Sequence, residues 1–252
     1  MDTPPATIAR TRHDAVVFDM DGVVTQTSVV HAAAWKALFD AYLRSRAAHE
    51  GRDFRPFDEK TDYRLYVDGK PRYDGVRDFL AARDIELPFG DPSDPPELET
   101  VCGLGNRKNV FFNAAVTEHG IKAYPSTVAL IHRLREAGVR VGLMSSSKNT
   151  TMILDVAGLT DLFEVRVDGV VGEQLGLPGK PDPAMYLETA RRLGVAPARA
   201  VVVEDALAGV EAGRRGGFDL VIGVDRLGQT EALRDAGADV VVKDLSEVAF
   251  EE

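Results

Sequence analysis

Short apolar runs that end on acidic or hydroxylated residues recur along this chain, each followed by a helical segment, and that alternation limits the fold more than any other feature. Ala15-Val-Val-Phe18 runs directly into Asp19. A run that is apolar at every position, and not at every second one, reads as a strand buried on both faces, as in a parallel sheet. Comparable runs occupy 139–144, 200–203, 220–224 and 240–242. Segments with helical periodicity separate them, at 126–136, 152–157, 184–193, 208–215 and 231–236. Gly138, Gly158, Gly194, Gly216 and Gly237 stand where those helices should end. Strand and helix in alternation predict an α/β fold: a Rossmann-like parallel sheet with helices on both faces.

Between about 29 and 121 the pattern changes. Amphipathic stretches at 31–44, 75–83 and 106–119 carry no buried strand run between them, so this part reads as a helical insertion. Its 46–72 segment is polar, and 89–96 is dense in Pro, Gly and Asp, which predicts irregular connections. The expected organisation is a discontinuous α/β core of 1–28 and 122–252 with an α-helical cap of 29–121. An insertion directly after the first strand lies over the carboxyl ends of the strands, where such sheets bind ligands, and reads as a lid. Residues 1 to about 12 read as a loose tail.

Composition narrows the function. Of 252 residues, 44% are apolar and 28% charged, which fits a globular chain, and no apolar run reaches the length of a membrane span. Thirty basic against forty acidic residues give a net charge of −10. That field repels polyanions, so no nucleic-acid partner is expected, and a small anionic substrate needs local cations or a metal. The single cysteine, Cys102, excludes an internal disulfide and a thiolate zinc cluster. It fits a reducing compartment, and the opening Met-Asp-Thr-Pro-Pro lacks the basic flank and apolar run of a secretion signal. A cytoplasmic monomer with no membrane partner is the expectation.

The strand ends carry the chemistry. Asp19 and Asp21 emerge two residues apart where the first strand stops, with Gly22 permitting a tight turn; the alternative is a turn-capping acidic pair. Glu204 and Asp205 end another strand, and four carboxylates at one sheet edge require a hard divalent cation, Mg²⁺ above all. Capping of the next helix accounts for one of that second pair but not for both pairs. Ser145, Ser146 and Ser147, followed by Lys148 and Asn149, end a third strand and offer hydroxyls and a helix start for an anion. Lys180 stands before the 184–193 helix, placed to neutralise a phosphate oxygen beside the acids. All four elements lie at strand-to-helix turns.

In that order, these motifs resemble the haloacid dehalogenase superfamily, and the likeness covers essentially the whole chain. Within the superfamily the chain is similar to the β-phosphoglucomutases in Phe18-Asp-Met-Asp-Gly-Val-Val-Thr-Gln-Thr27, His31, Ala34-Trp-Lys-Ala-Leu38, Gly69-Lys-Pro-Arg72, Arg107-Lys-Asn109 and Ser145-Ser-Ser-Lys-Asn149. The resemblance implies Asp19 as a nucleophile that becomes an aspartyl phosphate and Asp21 as general acid–base. It implies Mg²⁺ on Asp19, the Asp21 carbonyl, Glu204 and Asp205, with Ser145, Ser146 and Lys180 on the phosphoryl oxygens. Thr27, His31, Trp35, Gly69, Arg72, Lys108, Ser147, Lys148 and Asn149 would bind a small phosphorylated sugar and its far phosphate.

A fork of donors such as Arg72 suits a second phosphate held bidentately; otherwise it is a surface arginine. His31 lies four residues before Trp35, so packing is the competing reading for both. Gln26 stands where the family often has an acid, and 46–68 with 88–102 lengthen the cap. The implied reaction interconverts β-D-glucose 1-phosphate and glucose 6-phosphate, with β-glucose 1,6-bisphosphate as primer and intermediate. A Mg²⁺-dependent phosphatase of the same superfamily, acting on a sugar phosphate or other small phosphomonoester, is the alternative, and a catalytically silent phosphosugar-binding module is a third reading.

Overall fold

The computed structural model describes residues 6–251 and divides the chain into two compact units. One runs to Gln26 and resumes at Ile121; the other is Thr27–Gly120. The first boundary falls two residues before the expected 29, because Thr27 and Ser28 already belong to the first helix.

In the α/β unit, β1 is Thr7–Ala9 and β2 is Ala15–Asp19. After the helical unit come α4 (Pro125–Glu136), β3 (Arg140–Met144), α5 (Thr150–Ala157), β4 (Val165–Val167), α6 (Gly169–Leu175) and α7 (Ala184–Leu193). Then follow β5 (Ala200–Glu204), α8 (Leu207–Arg215), β6 (Leu220–Val224), α9 (Thr230–Asp235), β7 (Val240–Val242) and β8 (Ala249–Glu251). Six strands form one parallel sheet in the order β4-β3-β2-β5-β6-β7. The chain fills one side of β2 first and then crosses to the other, so β2 sits at the switch point where sheets of this class bind ligands. Every residue of β2 and β5 is buried, the reason their sequences are apolar throughout. Val17, Met144, Tyr186, Val202, Val210 and Leu233 meet in the core beneath.

One further expectation is corrected. The segment 1–12 is not all a loose tail: Thr7–Ala9 pairs in parallel with Ala249–Glu251, and His13 is buried, while the residues before 6 lie outside the described part. The glycine-rich 172–179 stretch before Lys180 begins inside α6, whose first turn Asp168 caps by accepting from the Val170 and Val171 N–H groups. Gly216 closes α8 where a helix end was expected; it does so in right-handed geometry, and the left-handed position falls on Gly217.

The helical unit contains α1 (Thr27–Glu50), a π-turn at Tyr63–Val67, α2 (Arg72–Ala81) and α3 (Val101–His119). Helix α1 outruns its amphipathic stretch by six residues, into sequence expected to be irregular, where Arg46 and Glu50 pair at 2.8 Å one turn apart. An aromatic core of Trp35, Phe39, Phe57 and Phe79 holds the unit, with Phe39 and Phe79 ring centroids 4.0 Å apart. Emptying such a position, as in Phe39→Ala, costs about 3–5 kcal/mol.

Candidate active site

The register of the sheet assembles the α/β site. Asp19 lies beside Met144 of β3, and Phe18 beside Val203 of β5. Ser145, the residue after β3, and Glu204, the last of β5, therefore flank Asp19. Asp19, Ser145, Lys180, Glu204 and Asp205 are all buried, an arrangement that requires their charges to be answered locally.

Lys180 supplies the first answer. From the turn before α7 its Nζ donates to Asp19 Oδ1 at 2.5 Å and to Glu204 Oε1. The Tyr186 hydroxyl donates to the same Glu204 oxygen at 3.0 Å, and the Ala206 N–H donates to Oε2 at 2.7 Å. Glu204 is thus first of all the clamp that holds Lys180: both lone pairs of Oε1 are committed, and Oε2 keeps one for a further partner. Burial pushes Asp19 well above the ordinary carboxylate range; Lys180 opposes this, while Glu204 and Asp21 add to it. Burial would lower Lys180, but Asp19 and Glu204 outweigh it, so the ammonium is held in its charged form.

One ammonium cannot balance the acids around it. Asp19, Glu204 and Asp205 present carboxylate oxygens within 4.8 Å of one another. Oxygen-only donors suit a hard divalent cation such as Mg²⁺. The turn after Asp21 is shaped for the same group: Gly22 has φ +82°, and a Cβ there would lie 1.8 Å from Asp205 Oδ2. Only glycine lets the Asp21 turn approach Asp205 so closely. The residues present fit a divalent cation held by Asp19, Asp205 and the open side of Glu204.

Four residues that sequence reasoning missed hold this edge in place. Tyr186 is one. Past β6, Arg226 Nε donates to the Gly22 carbonyl at 2.8 Å with its guanidinium 3.7 Å over the Tyr124 ring, and Gln229 Nε2 donates to the Asp205 carbonyl at 3.2 Å. Asp225 in turn accepts from Gln229 N at 2.8 Å and from Thr230 Oγ1 at 2.5 Å. The available signal was positional: Asp225 ends the 220–224 run as Asp19 and Glu204 end theirs.

Ser145 Oγ accepts the Ser147 N–H at 3.1 Å, which leaves its hydroxyl proton to donate. Ser147 Oγ accepts from Asn149 N at 3.1 Å, and Asn149 precedes α5 without capping it through its side chain. Ser146 lies in the same turn. Lys148 is directed to α6, its Nζ 2.6 Å from Glu173 Oε1, a pairing hidden from a reading without that helix.

In the helical unit, Lys108 of α3 is buried. Its Nζ donates to His31 Nδ1 of α1 at 2.5 Å and lies 4.8 Å from the Phe112 ring centroid and 5.1 Å from that of Trp35. His31 stacks on Phe112 with ring centroids 4.2 Å apart. Trp35 is 3% exposed and stacks on Phe39, so it belongs chiefly to the core. Thr27, the first residue of α1, is fully buried, and Gly69, at φ +68°, turns the chain toward α2. Arg72 opens α2, and its Nη1 donates to Asn106 Oδ1 of α3 at 3.2 Å. It forms no ion pair among the described residues, and burial pulls its pKa below the usual guanidinium value.

No helix among the described residues is long and apolar enough to cross a membrane. The family model for haloacid dehalogenase-like hydrolases matches residues 13–217. A β-phosphoglucomutase of Mycobacterium bovis is 48% identical over 237 residues, 93% of this chain and 90% of that one. A Mycobacterium tuberculosis protein named as an uncharacterized glycosyl hydrolase is 46% identical over 97% of this chain, which matches only 18% of that protein's length. The crystal structure of a β-phosphoglucomutase from Clostridium difficile superposes with a TM-score of 0.72 at 25% identity, covering 93% of this chain and 92% of that one. With a family model that spans most of its length and a relative at 48% identity over 93% of it, the chain belongs to the haloacid dehalogenase-like hydrolase family.

Proposed function

We propose that the chain is a β-phosphoglucomutase, which interconverts β-D-glucose 1-phosphate and glucose 6-phosphate through β-glucose 1,6-bisphosphate. An Asp19 carboxylate oxygen attacks a phosphorus of the bisphosphate, the bond from that phosphorus to the sugar oxygen breaks, and Asp21 donates a proton to the departing oxygen. Glucose 6-phosphate leaves, β-D-glucose 1-phosphate takes its place, and its 6-hydroxyl gives a proton to Asp21 and attacks the aspartyl phosphate. This breaks the bond from phosphorus to Asp19, frees Asp19 and regenerates the bisphosphate, which then reorients to present its 1-phosphate. Lys180 orients Asp19 and neutralises a phosphoryl oxygen, and the Ser145 hydroxyl donates to another. Bound at Asp19, Glu204, Asp205 and the Asp21 carbonyl, Mg²⁺ would supply the remaining neutralisation of the phosphoryl charge. Phosphoryl transfer asks mainly for such positioning and charge balance.

The observation that carries the reading is Arg72. A half-buried guanidinium with no ion pair among the described residues is suited to a second anion, and a bisphosphate intermediate brings one. Buried Lys108, beside His31, adds cationic character to the same unit. The 48% identity to a β-phosphoglucomutase and the 46% identity to part of a protein named a glycosyl hydrolase support a carbohydrate substrate. The test is phosphorus NMR of purified protein with Mg²⁺ and β-glucose 1-phosphate, with and without a trace of the 1,6-bisphosphate. Glucose 6-phosphate that forms without inorganic phosphate, faster with the primer and absent for Asp19→Asn, is the expected result. Inorganic phosphate as the main product would replace the mutase with the phosphatase alternative.

A further inference from the structure

We propose that Asn106 is a positioning residue for Arg72, and that the folded segment between α2 and α3 exists in part to hold Asn106 in that task. The inference rests on the reading of Arg72 as the second-phosphate anchor.

Asn106 projects from the second turn of α3 and uses both ends of its amide. Nδ2 donates to the Pro92 carbonyl at 3.0 Å and to the Asp94 carbonyl at 2.9 Å. Two carbonyl acceptors on that side leave no choice of amide orientation, so Oδ1 faces the other way. There it accepts from Arg72 Nη1 at 3.2 Å and from the Tyr73 hydroxyl at 3.0 Å. Of the five N–H donors on Arg72, one is committed to this neutral oxygen, and the guanidinium keeps its charge and its remaining donors for a ligand. An aspartate here would orient the arginine equally well but neutralise it. The chemistry of the position favours an amide.

The two carbonyls that fix Asn106 are themselves held. Gly90, at φ +78°, packs so tightly that a Cβ would lie 2.1 Å from Asp94 Oδ2 and 2.5 Å from Thr100 Oγ1. Asp94 Oδ2 accepts from Thr100 Oγ1 at 2.6 Å and from Asp91 N at 3.1 Å, and Thr100 Oγ1 caps α3 through Gly103 N at 2.9 Å. Arg107 Nε closes the same segment at the Pro96 carbonyl, 2.6 Å away. A stretch dense in Pro, Gly and Asp is thus a splint built on the start of α3. The class of ligand it serves is a phosphorylated sugar with a second phosphate, held bidentately by Arg72.

Steady-state kinetics of phosphoryl transfer from β-glucose 1,6-bisphosphate test this in wild type, Asn106→Ala, Asn106→Asp and Arg72→Ala. A charge-assisted contact that loses its alignment costs about tenfold in affinity. Asn106→Ala is expected to raise the bisphosphate KM about tenfold with kcat changed by less than about twofold. Asn106→Asp, which pairs the arginine instead of freeing it, is expected to raise KM at least as much, and Arg72→Ala more than either. Gly90→Ala, which displaces the splint without touching either side chain, should show the same KM-weighted pattern. If Arg72→Ala raises KM while Asn106→Ala and Asn106→Asp leave it within twofold, the positioning role is wrong and the reading of Arg72 survives. If Arg72→Ala also leaves it unchanged, the anchor reading falls and the positioning role with it.

Discussion

Lys180 Nζ lies 2.5 Å from Asp19 Oδ1, both side chains buried, in a parallel sheet whose register brings Glu204 to the lysine's other side. The lysine is therefore part of the immediate environment of Asp19, the proposed nucleophile. Removing one partner of a buried pair leaves an uncompensated charge, which costs about 3–5 kcal/mol. Lys180→Met is expected to lose about that much stability in urea unfolding, and its turnover is expected to fall at least 10²–10³-fold, roughly the loss from deleting one preorganised donor. A variant as stable as wild type would show that Lys180 is not what answers the buried acids.

Gly22 leaves the room that Asp205 occupies. A methyl group at position 22 meets Asp205 Oδ2 at 1.8 Å and adopts a φ of +82° that L-residues rarely take. Gly22→Ala is expected to raise the Mg²⁺ concentration for half-maximal activity by tenfold or more and to destabilise the fold by about 1–3 kcal/mol. A Mg²⁺ titration beside a melting curve separates the two effects, and an unchanged titration would remove Gly22 and Asp205 from the metal site.

Chelation should act on stability as well as activity. With carboxylates of Asp19, Glu204 and Asp205 so close, Mg²⁺ that binds only the folded chain stabilises it by about 2.7 kcal/mol at one hundred times its Kd. EDTA is expected to abolish turnover and lower the melting temperature, with both restored by Mg²⁺. Melting curves that coincide with and without the ion would place the metal elsewhere.

His13 ties acid sensitivity to the start of the chain. Its Nδ1 accepts the Ala9 N–H at 3.0 Å, so the neutral ring carries its proton on Nε2, 2.8 Å from Asp219 Oδ2. Burial lowers its pKa; Asp219 opposes this and Arg12 and Arg199 reinforce it. Because the folded value lies below the ordinary 6.5, the folded state binds fewer protons than the unfolded one. The contribution is complete above about pH 6.5 and declines as pH falls below it. Urea unfolding at pH 7.5 and 5.5 should show a smaller loss for His13→Gln than for wild type, and equal losses would deny His13 the effect.

The parts of this protein legible in its sequence were those that depend on local pattern. Short apolar runs alternating with helical segments read as doubly buried strands, and Asp19, Ser145 and Glu204 were found because a parallel sheet carries its chemistry where such runs end. Short elements escaped: β4 has three residues with Arg166 in the middle, and β1 pairs with β8 across some 240 positions, a contact that no local periodicity encodes. Tertiary structure alone decided partners. Side chains distant in sequence meet only when the sheet order and helix packing are set, so Glu204 emerged as the clamp on Lys180, Lys148 as the partner of Glu173, and Trp35 as core. Asn106 lies beside the motif residues Arg107 and Lys108, at the start of the amphipathic stretch expected over 106–119. Its relation to Arg72, 34 residues earlier, exists because α2 and α3 pack together and the segment joining them folds back on both.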